Sequence, residues 1–335
     1  MDDVTKSESN MLNDNEWMFL LFLMLVEDAK QRNEQWKSFE NELIYNNRFS
    51  SHHPIVDELH KRCQQATTTI QKDTIFYRAR CFDQTSFDKL VSYYLRENGY
   101  KEKQIKSILE EWSDQEKLLT LMPQIYSDVD SFENSALISA QRKWKRYVKF
   151  KGWGEKDSSA PNADLIGNGR ANPDHIRYLY LCEDKTTPVY EVRPIIGQTV
   201  SVAKFKLQRD VKVYDLTLDI QDEIGEEKMQ MPSLYNTIGQ MFSRPYNGEP
   251  TKYLPTQYLA EEIKNMGFDG LRFNSSLHSG GINVVLFDPE ACKAVSSDLV
   301  EIKSINIDMD RPLIYTIGDS NKNQTEEKKL WIIVE

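Results

Sequence analysis

Apolar positions along this chain follow two different spacings. Over about the first 70 residues they recur at helical intervals, starting with the run WMFLLFLMLV from Trp17 to Val26. After about Lys151 the pattern becomes loops rich in Gly, Pro, Asn and Asp between short β-type runs, which read YLYLC, VSVAKFKL, VKVYDL, GLRF and INVVLF. One helix interrupts these runs from about Pro255 to Met266, with Gly267 just beyond its end. Strands broken by a few helices, without a regular βαβ rhythm, predict an α+β fold that follows a helical N-terminal region.

The run from Trp17 to Val26 is the one segment that resembles a membrane element. Its ten residues are too few for a helix to cross about 30 Å of hydrocarbon. A signal peptide would need a positive leader, whereas the residues before the run hold one Lys against five acidic side chains. We therefore expect no membrane association and a buried helix that is apolar on all sides because other helices cover it. A helix that binds a partner is the alternative.

Composition and charge narrow the class of protein. Hydrophobic residues make up 39% of the 335 residues and charged residues 28%, which fits a soluble chain with a sizeable core and about two modules. The net charge of -10 would repel a phosphate backbone, so we expect no nucleic-acid partner. The four Cys lie far apart without a CxxC pair, and the five His are scattered. We therefore expect no metal site, no disulfide framework and a cytoplasmic location.

The stretch from Gly167 to Pro194 carries the first candidate chemistry. Arg170 lies in its polar turn, where a guanidinium can grip a diphosphate in two places, which a lysine cannot do. The alternative is an Arg that caps the loop or pairs with a nearby Asp. In the β-type run that follows, side-chain alternation places Tyr178 and Tyr180 on one face of the sheet and the leucines on the other. Such aromatic faces pack a core more often than they stack on a ligand.

Glu191 is a candidate catalytic carboxylate. The pair Thr187-Pro188 is typical of a helix cap followed by proline at the first helical position, which would place Glu191 in the first turn. The helix dipole would favour its ionised form there. Pro194 would end the helix, because its ring clashes with the carbonyl four residues earlier. The alternative is a surface Glu that stabilises its own helix or pairs with Arg193.

The stretch from Met266 to Pro289 carries two adjacent serines, Ser275 and Ser276, at the end of the GLRF run and close to glycines. Hydroxyls and backbone N–H groups in such a position can meet a ligand. A hairpin-like turn is the alternative. Ser275 and His278 do not form a convincing nucleophile pair, because nothing in the sequence supplies the third, orienting group.

Together these segments resemble the RES-domain family, which is named for its Arg, Glu and Ser. Family members carry an early YR-containing strand, a GRxNPxGIxYLYLA-like segment followed by a Glu, and a Ser-bearing strand and loop that ends in an FDP-like turn. This chain has YRAR at Tyr77 to Arg80, GRANPDHIRYLYLC with Glu191 eleven residues after Tyr180, and FNSSLHSGGINVVLFDP. Order and spacing agree from about Thr74 to Ile305.

The resemblance implies which residues form the site. The family's Arg, Tyr, Glu and Ser fall on Arg170, Tyr180, Glu191 and Ser275, and counting back from the paired glycines selects Ser275 over Ser276. Arg170 would hold the diphosphate of NAD, Tyr180 would pack against the dinucleotide, and Glu191 would stabilise an oxocarbenium-like ribose. Ser275 would orient the nicotinamide ribose or the attacking group.

The resemblance also implies a second cationic site residue, and this chain departs from the family pattern at two positions. The Arg of the YR motif falls on Arg78, with Arg80 as the alternative, and it would share the diphosphate with the Arg of the polar turn. His175 replaces the usual Gly, which puts the turn geometry there in question, and Cys182 stands where Ala is common.

A fold and a function are implied as well. Family members resemble ADP-ribosyltransferases, with a split antiparallel sheet and NAD in a cleft. They act as NAD phosphorylases or glycohydrolases, and a neighbouring antitoxin commonly restrains them. We therefore expect NAD as the substrate, phosphate or water as the acceptor, and no metal. Nicotinamide leaves NAD as a neutral molecule, so one carboxylate suffices where a glycosidase needs two.

Two other functions and one unassigned region stay open at this point. ADP-ribosyl transfer to a protein or nucleotide is one alternative, and an inactive NAD-sensing or partner-binding module is the other. The expected organisation is a helical N-terminal region of unknown role at residues 1–71 and a RES-like NAD-consuming domain at residues 72–335. The N-terminal region would close the cleft, bind a regulator or form a homo-oligomer.

Overall fold

A computed structural model of the chain describes residues 14–49, 52–82, 88, 91–92, 95–96, 99–111, 149–224, 228–245 and 250–305. The α-helices with bounds in these ranges are α1 (Asp14–Asn41), α2 (Pro54–Lys61), α3 (Glu102–Glu111), α4 (Glu155–Ser158), α5 (Thr187–Glu191), α6 (Leu234–Phe242) and α7 (Leu254–Asn265). The strands are β1 (Thr67–Ile70), β2 (Ile75–Phe82), β3 (Leu179–Cys182), β4 (Thr199–Leu207), β5 (Val211–Asp215), β6 (Gln221–Ile224), β7 (Met229–Pro232), β8 (Gly270–Asn274), β9 (Ile282–Leu286) and β10 (Cys292–Glu301).

Eight of the strands form one sheet in the order β1-β5-β8-β9-β3-β2-β4-β10, and β6 and β7 form a separate hairpin. Neighbouring strands are antiparallel except β5 and β8, which are parallel, so the sheet is mixed. The resemblance had implied an antiparallel sheet. Strand β2 pairs with β4 along its whole length but with β3 only at Tyr77 and Cys182. The sheet is therefore split between β2 and β3, and the predicted α+β fold with a split sheet is confirmed.

The two faces of this sheet carry different cores, because successive side chains of a strand alternate. Tyr178 and Tyr180 contact the larger core, which includes side chains of α1, α2, α6 and α7. Leu179 and Leu181 contact the other core, on the opposite side. The alternation predicted for the YLYLC run is confirmed. We call these two sides the tyrosine face and the leucine face.

The β-type runs predicted after Lys151 are present as β3, β4, β5, β8 and β9. The predicted helix near Pro255 is α7, which carries a proline in its first turn. Gly267 follows its end with φ of +86°, in the left-handed region that glycine adopts without strain. These predictions are confirmed. Each depends only on the local sequence, which is why the sequence was enough to make it.

The N-terminal residues share a core with the rest of the chain. Phe39 of α1 and Leu59 of α2 are fully buried in the same cluster as Tyr214, Tyr235 and Phe242. The predicted helical N-terminal region is confirmed by α1 and α2, and residues 67–70 at its end form β1, which pairs with β5. The division of the chain at residue 71 stays a prediction.

The apolar run from Trp17 to Val26 is helical, but the prediction that it is buried is wrong. Phe19 is 60% exposed, Phe22 is 59% exposed, and most of the other apolar side chains in the run are exposed too. A helix of 28 residues is about 42 Å long at about 1.5 Å per residue. Its partners α2 and α6 have only eight and nine residues, and the buried side chains of α1 begin at Trp36. Among the described helices, none has the length and apolar character that a bilayer crossing requires.

Candidate active site

Glu191 and Ser275, which are 84 positions apart in the sequence, meet through a hydrogen bond. The Ser275 hydroxyl donates to Oε1 of Glu191 at 2.7 Å. Helix α5 carries Glu191 at its end and packs against β2, β3 and β4, so the carboxylate lies at the split of the sheet. The structure thus brings together two residues that the resemblance had assigned to one site.

The position of Glu191 within its helix differs from the prediction. Helix α5 is only five residues long, and Glu191 is its last residue and not part of a longer first turn. The stabilising effect of a helix N-terminus therefore does not apply to this carboxylate. The cap also differs, because the Asp184 carboxylate accepts the backbone N–H groups of Thr186 and Thr187 at 2.7 and 2.8 Å. Pro194 lies beyond the helix end, as predicted.

The loop after β8 fixes the Ser275 hydroxyl. Its oxygen accepts the backbone N–H groups of Leu277 and His278, each at 3.2 Å, and the Ser275 N–H donates to the Gly281 carbonyl at 2.8 Å. With the oxygen occupied as an acceptor, the hydroxyl proton is directed to the carboxylate. Strand β8 ends at Asn274, so the choice between Ser275 and Ser276 comes from this loop and not from strand alternation.

Tyr180 holds the loop that carries Arg170. Its hydroxyl donates to Oδ1 of Asn172 at 2.7 Å and accepts the Ala171 N–H at 3.0 Å. Burial raises the pKa of Tyr180 well above its usual value, so the hydroxyl stays protonated. Gly169 passes so close that an added Cβ would clash with the Asn172 and Tyr180 side chains. The phenol therefore orders the loop directly.

Arg170 reaches from this loop to the end of α6. Its guanidinium donates to the carbonyls of Phe242 and Arg244 and lies over the Phe273 ring, 5.8 Å from the centroid. Burial lowers the pKa of Arg170, and the negative charge of Glu191 acts in the opposite direction. A guanidinium has five N–H donors, so two bonds to carbonyls leave donors for a ligand.

Arg78 is not part of this cluster. Its neighbour Tyr77 pairs with Cys182, which lies on the tyrosine face with Tyr180, so alternation places Arg78 on the leucine face. There its guanidinium donates to the carbonyls of Ser158 and Ser159. Burial lowers the pKa of Arg78 to about 9. The structure therefore does not bring Arg78 to Glu191.

Comparison with known proteins places this chain in a family. The family model described as RES domain matches residues 140–309, which is 170 of the 335 residues. The chain belongs to the RES-domain family. One solved structure, the M. tuberculosis MbcT-MbcA toxin-antitoxin complex, has a chain that matches with 11% identity and a TM-score of 0.33, over 74% of this chain and 94% of that one. The comparison with curated proteins gives no match.

The two departures of this RES-domain protein from the family pattern have clear environments. His175 has φ of +68°, so it adopts the left-handed conformation that the usual glycine would adopt. Cys182 is buried and its thiol donates to Oδ1 of Asn283 at 3.2 Å.

The sequence analysis missed Asn283 and considered His278 only as a partner of Ser275. Asn283 of β9 donates from Nδ2 to Oε1 of Glu191 at 2.8 Å. His278 stacks on Tyr190 of α5 with ring centroids 4.8 Å apart, and its Nδ1 lies 2.7 Å from the Thr187 hydroxyl. A signal for Asn283 was present, because it is the one polar residue in the run INVVLF. Within the described part of the chain, no group of three or more His, Cys, Asp or Glu is placed to hold a metal ion.

Proposed function

We propose that this protein degrades NAD by cleaving the bond between nicotinamide and ribose, with phosphate or water as the acceptor. RES-domain toxins are generally enzymes that act on NAD. The observation that carries the proposal for this chain is the Glu191 carboxylate, which Ser275 holds at 2.7 Å and whose negative charge acts on the Arg170 guanidinium. This cluster combines an anion for a developing cation with a cation for a diphosphate.

The reaction breaks the bond between the anomeric carbon and the pyridinium nitrogen, and the bonding electron pair leaves with nicotinamide. Nicotinamide becomes neutral, so its departure needs no proton donor. The ribose passes through an oxocarbenium-like state, and a carboxylate at that carbon stabilises it electrostatically. The acceptor oxygen then forms the new bond. Phosphate yields ADP-ribose phosphorylated at the anomeric carbon, and water yields ADP-ribose and a proton.

Each residue of the site has a defined part in this proposal. Glu191 faces the anomeric carbon, and Ser275 holds the carboxylate in place. Arg170 binds the diphosphate with the N–H groups that the carbonyls do not occupy, and Tyr180 keeps the Arg170 loop in position. Arg78 supports the fold on the leucine face and does not contact the dinucleotide.

In the cell, consumption of NAD would make the protein a toxin. Members of the family are commonly restrained by a neighbouring antitoxin, and we propose a protein antitoxin as a partner here. The four Cys are free thiols in the structure, and a reducing cytoplasm is the proposed location.

The products of a reaction with NAD test the proposal. Purified protein is incubated with NAD, with and without inorganic phosphate, and the products are identified by mass spectrometry. We expect free nicotinamide in stoichiometric amount, together with ADP-ribose or its anomeric phosphate. Growth should also stop when the protein is expressed. Intact NAD after prolonged incubation with folded protein would contradict the proposal. ADP-ribose linked to protein would show instead that the enzyme transfers ADP-ribose to a macromolecule.

A further inference from the structure

Asn283 occupies an unusual place for an amide. It is the second residue of β9, paired with Cys182 of β3 on one side and Phe273 of β8 on the other. Its side chain is 9% exposed, and its neighbours along the strand are apolar. A buried amide is retained where its hydrogen bonds are satisfied, so its partners define its role.

The two ends of the Asn283 amide have different partners. Nδ2 donates to Oε1 of Glu191 at 2.8 Å, and Oδ1 accepts the thiol of Cys182 at 3.2 Å. Burial raises the pKa of the Cys182 thiol, so the thiol stays protonated and can donate. A carboxylate can only accept, so the amide has one orientation that satisfies both partners.

Both donors to Glu191 bind the same oxygen. The Ser275 hydroxyl and the Asn283 amide each donate to Oε1, from the loop after β8 and from β9. No hydrogen bond to Oε2 is present among the described residues, and Glu191 as a whole is exposed. Two donors that converge on one oxygen fix the rotation of the carboxylate and turn the other oxygen outward. Both donors are neutral, so neither cancels the negative charge.

We propose that Asn283 is a positioning residue that holds Glu191 with Oε1 toward the protein and Oε2 toward the substrate, and that Cys182 sets the orientation of the Asn283 amide. The catalytic consequence rests on the proposed function. The geometry of the carboxylate does not, and it can be measured without NAD.

Asn283→Asp is the decisive variant, because it replaces the donor by a second carboxylate next to Glu191. Two carboxylates at this distance cannot both ionise easily, so the pKa of Glu191 should rise by about one unit or more. The carboxyl signal of Glu191 in ¹³C NMR, assigned with Glu191→Gln, reports this pKa in the absence of substrate. Asn265→Asp, at the exposed end of α7, is the control and should leave the signal unchanged.

Turnover is then measured on the same variants. A misplaced catalytic group should lower kcat by about 100-fold with little change in KM. In Asn283→Asp, the acidic limb of the pH–rate profile should move to higher pH. Asn283→Leu, which removes the donor without adding a charge, should lower kcat without that pH shift. A purely structural role would lower the melting temperature and leave the pH profile in place.

Cys182 supplies the rescue test. Cys182→Ser keeps a donor for the amide and should retain most of the activity, whereas Cys182→Ala should lose part of it. In an Asn283→Leu background the two Cys182 variants should have no separate effect, because the chain of bonds is already broken. The positioning role is overturned if Asn283→Asp leaves both the Glu191 pKa and kcat unchanged. If no variant, including the wild type, releases nicotinamide, the proposed function fails, while the NMR result still decides the geometry.

Discussion

At the scale of single residues, Arg170 combines a structural and a functional part. Its guanidinium joins two backbone carbonyls near the end of α6 and keeps further donors for a ligand. Helix C-termini favour cations, so these carbonyls help to hold the guanidinium in place. A planar fork serves both purposes at once, and a single ammonium group does not.

Arg170→Lys should therefore fail to rescue Arg170→Ala. We expect both variants to lose about 100-fold in NAD turnover, because the diphosphate is no longer held in register. Initial rates of nicotinamide release, with a thermal melt of each protein, measure the effect. The matched control is Arg177→Lys, since Arg177 also donates to two carbonyls, those of Pro161 and Ala160, but lies outside the site. Full recovery by Lys at position 170 would reduce its role to charge alone.

The sequence was enough to predict which residues carry the chemistry. It was not always enough to predict the side of the sheet on which each of them lies. Glu191 and Ser275 were identified, and the structure places them in contact. Arg78 was assigned to the diphosphate, but its direction depends on the register of β2 against its neighbouring strands. Tyr77 pairs with Cys182 of β3, and Arg78 pairs with Ala203 of β4, which belongs to the core on the leucine face. No local pattern contains this information.

At the scale of elements, α5 is a helix whose stability depends on contacts with the residues around it. Five residues are too few for a helix to be stable alone. Asp184 caps its first turn, and Val189 packs with Ala79 and Val202 of the neighbouring strands. The sequence predicted a helix start at Thr187-Pro188 but assigned the cap to Thr187. The signal for Asp184 was present and was missed, because a capping Asp accepts the N–H groups two and three residues later, as Asp184 does from Thr186 and Thr187.

Removal of this cap tests the role of α5. Asp184→Ala should lower the free energy of unfolding by about 1 kcal/mol, typical for a lost cap, and should lower turnover more strongly because Glu191 loses its support. Asp288→Ala removes a comparable cap at Glu290, outside the site, and serves as the control for turnover. Equal losses of turnover in the two variants would contradict a special role for α5.

The same cap predicts a pH dependence of stability. Burial acts to raise the pKa of Asp184, but hydrogen bonds from the Thr187 hydroxyl and from the N–H groups of Thr187 and Thr186 lower it overall. A carboxyl whose pKa is lower in the folded state stabilises the fold above its unfolded pKa of about 3.9. The difference in unfolding free energy between wild type and Asp184→Ala should thus be constant near neutral pH. It should shrink as the pH falls below about 4, as measured by urea unfolding.

At the scale of the whole molecule, α1 has two halves with different roles. The second half contributes Phe39 to the large core, and the first half presents apolar side chains to solvent. The pattern WMFLLFLMLV predicted a helix correctly, since helical spacing is local. Whether the run is buried or exposed could not be predicted, because that depends on where the shorter helices α2 and α6 end.

Two Phe→Ala variants of this one helix distinguish the halves. Phe39→Ala should cost about 3–5 kcal/mol in unfolding free energy, because Phe39 is fully buried. Phe22→Ala should change it by no more than about 0.5 kcal/mol, because that side chain is 59% exposed. Chemical denaturation of both proteins at one concentration measures the difference. A large cost for Phe22→Ala would show that the first half of α1 is covered in solution.

The central claim, that Glu191 is the carboxylate that cleaves NAD, is tested most directly by the rate of nicotinamide release from Glu191→Gln. This change conserves shape and removes the charge that stabilises the oxocarbenium-like ribose, a loss of about 3–4 kcal/mol for such a site. We expect the rate to fall by about 100- to 1,000-fold, while the melting temperature stays near that of the wild type and the exposed control Glu290→Gln keeps full activity. Wild-type turnover by Glu191→Gln would remove Glu191 from the mechanism and contradict the account.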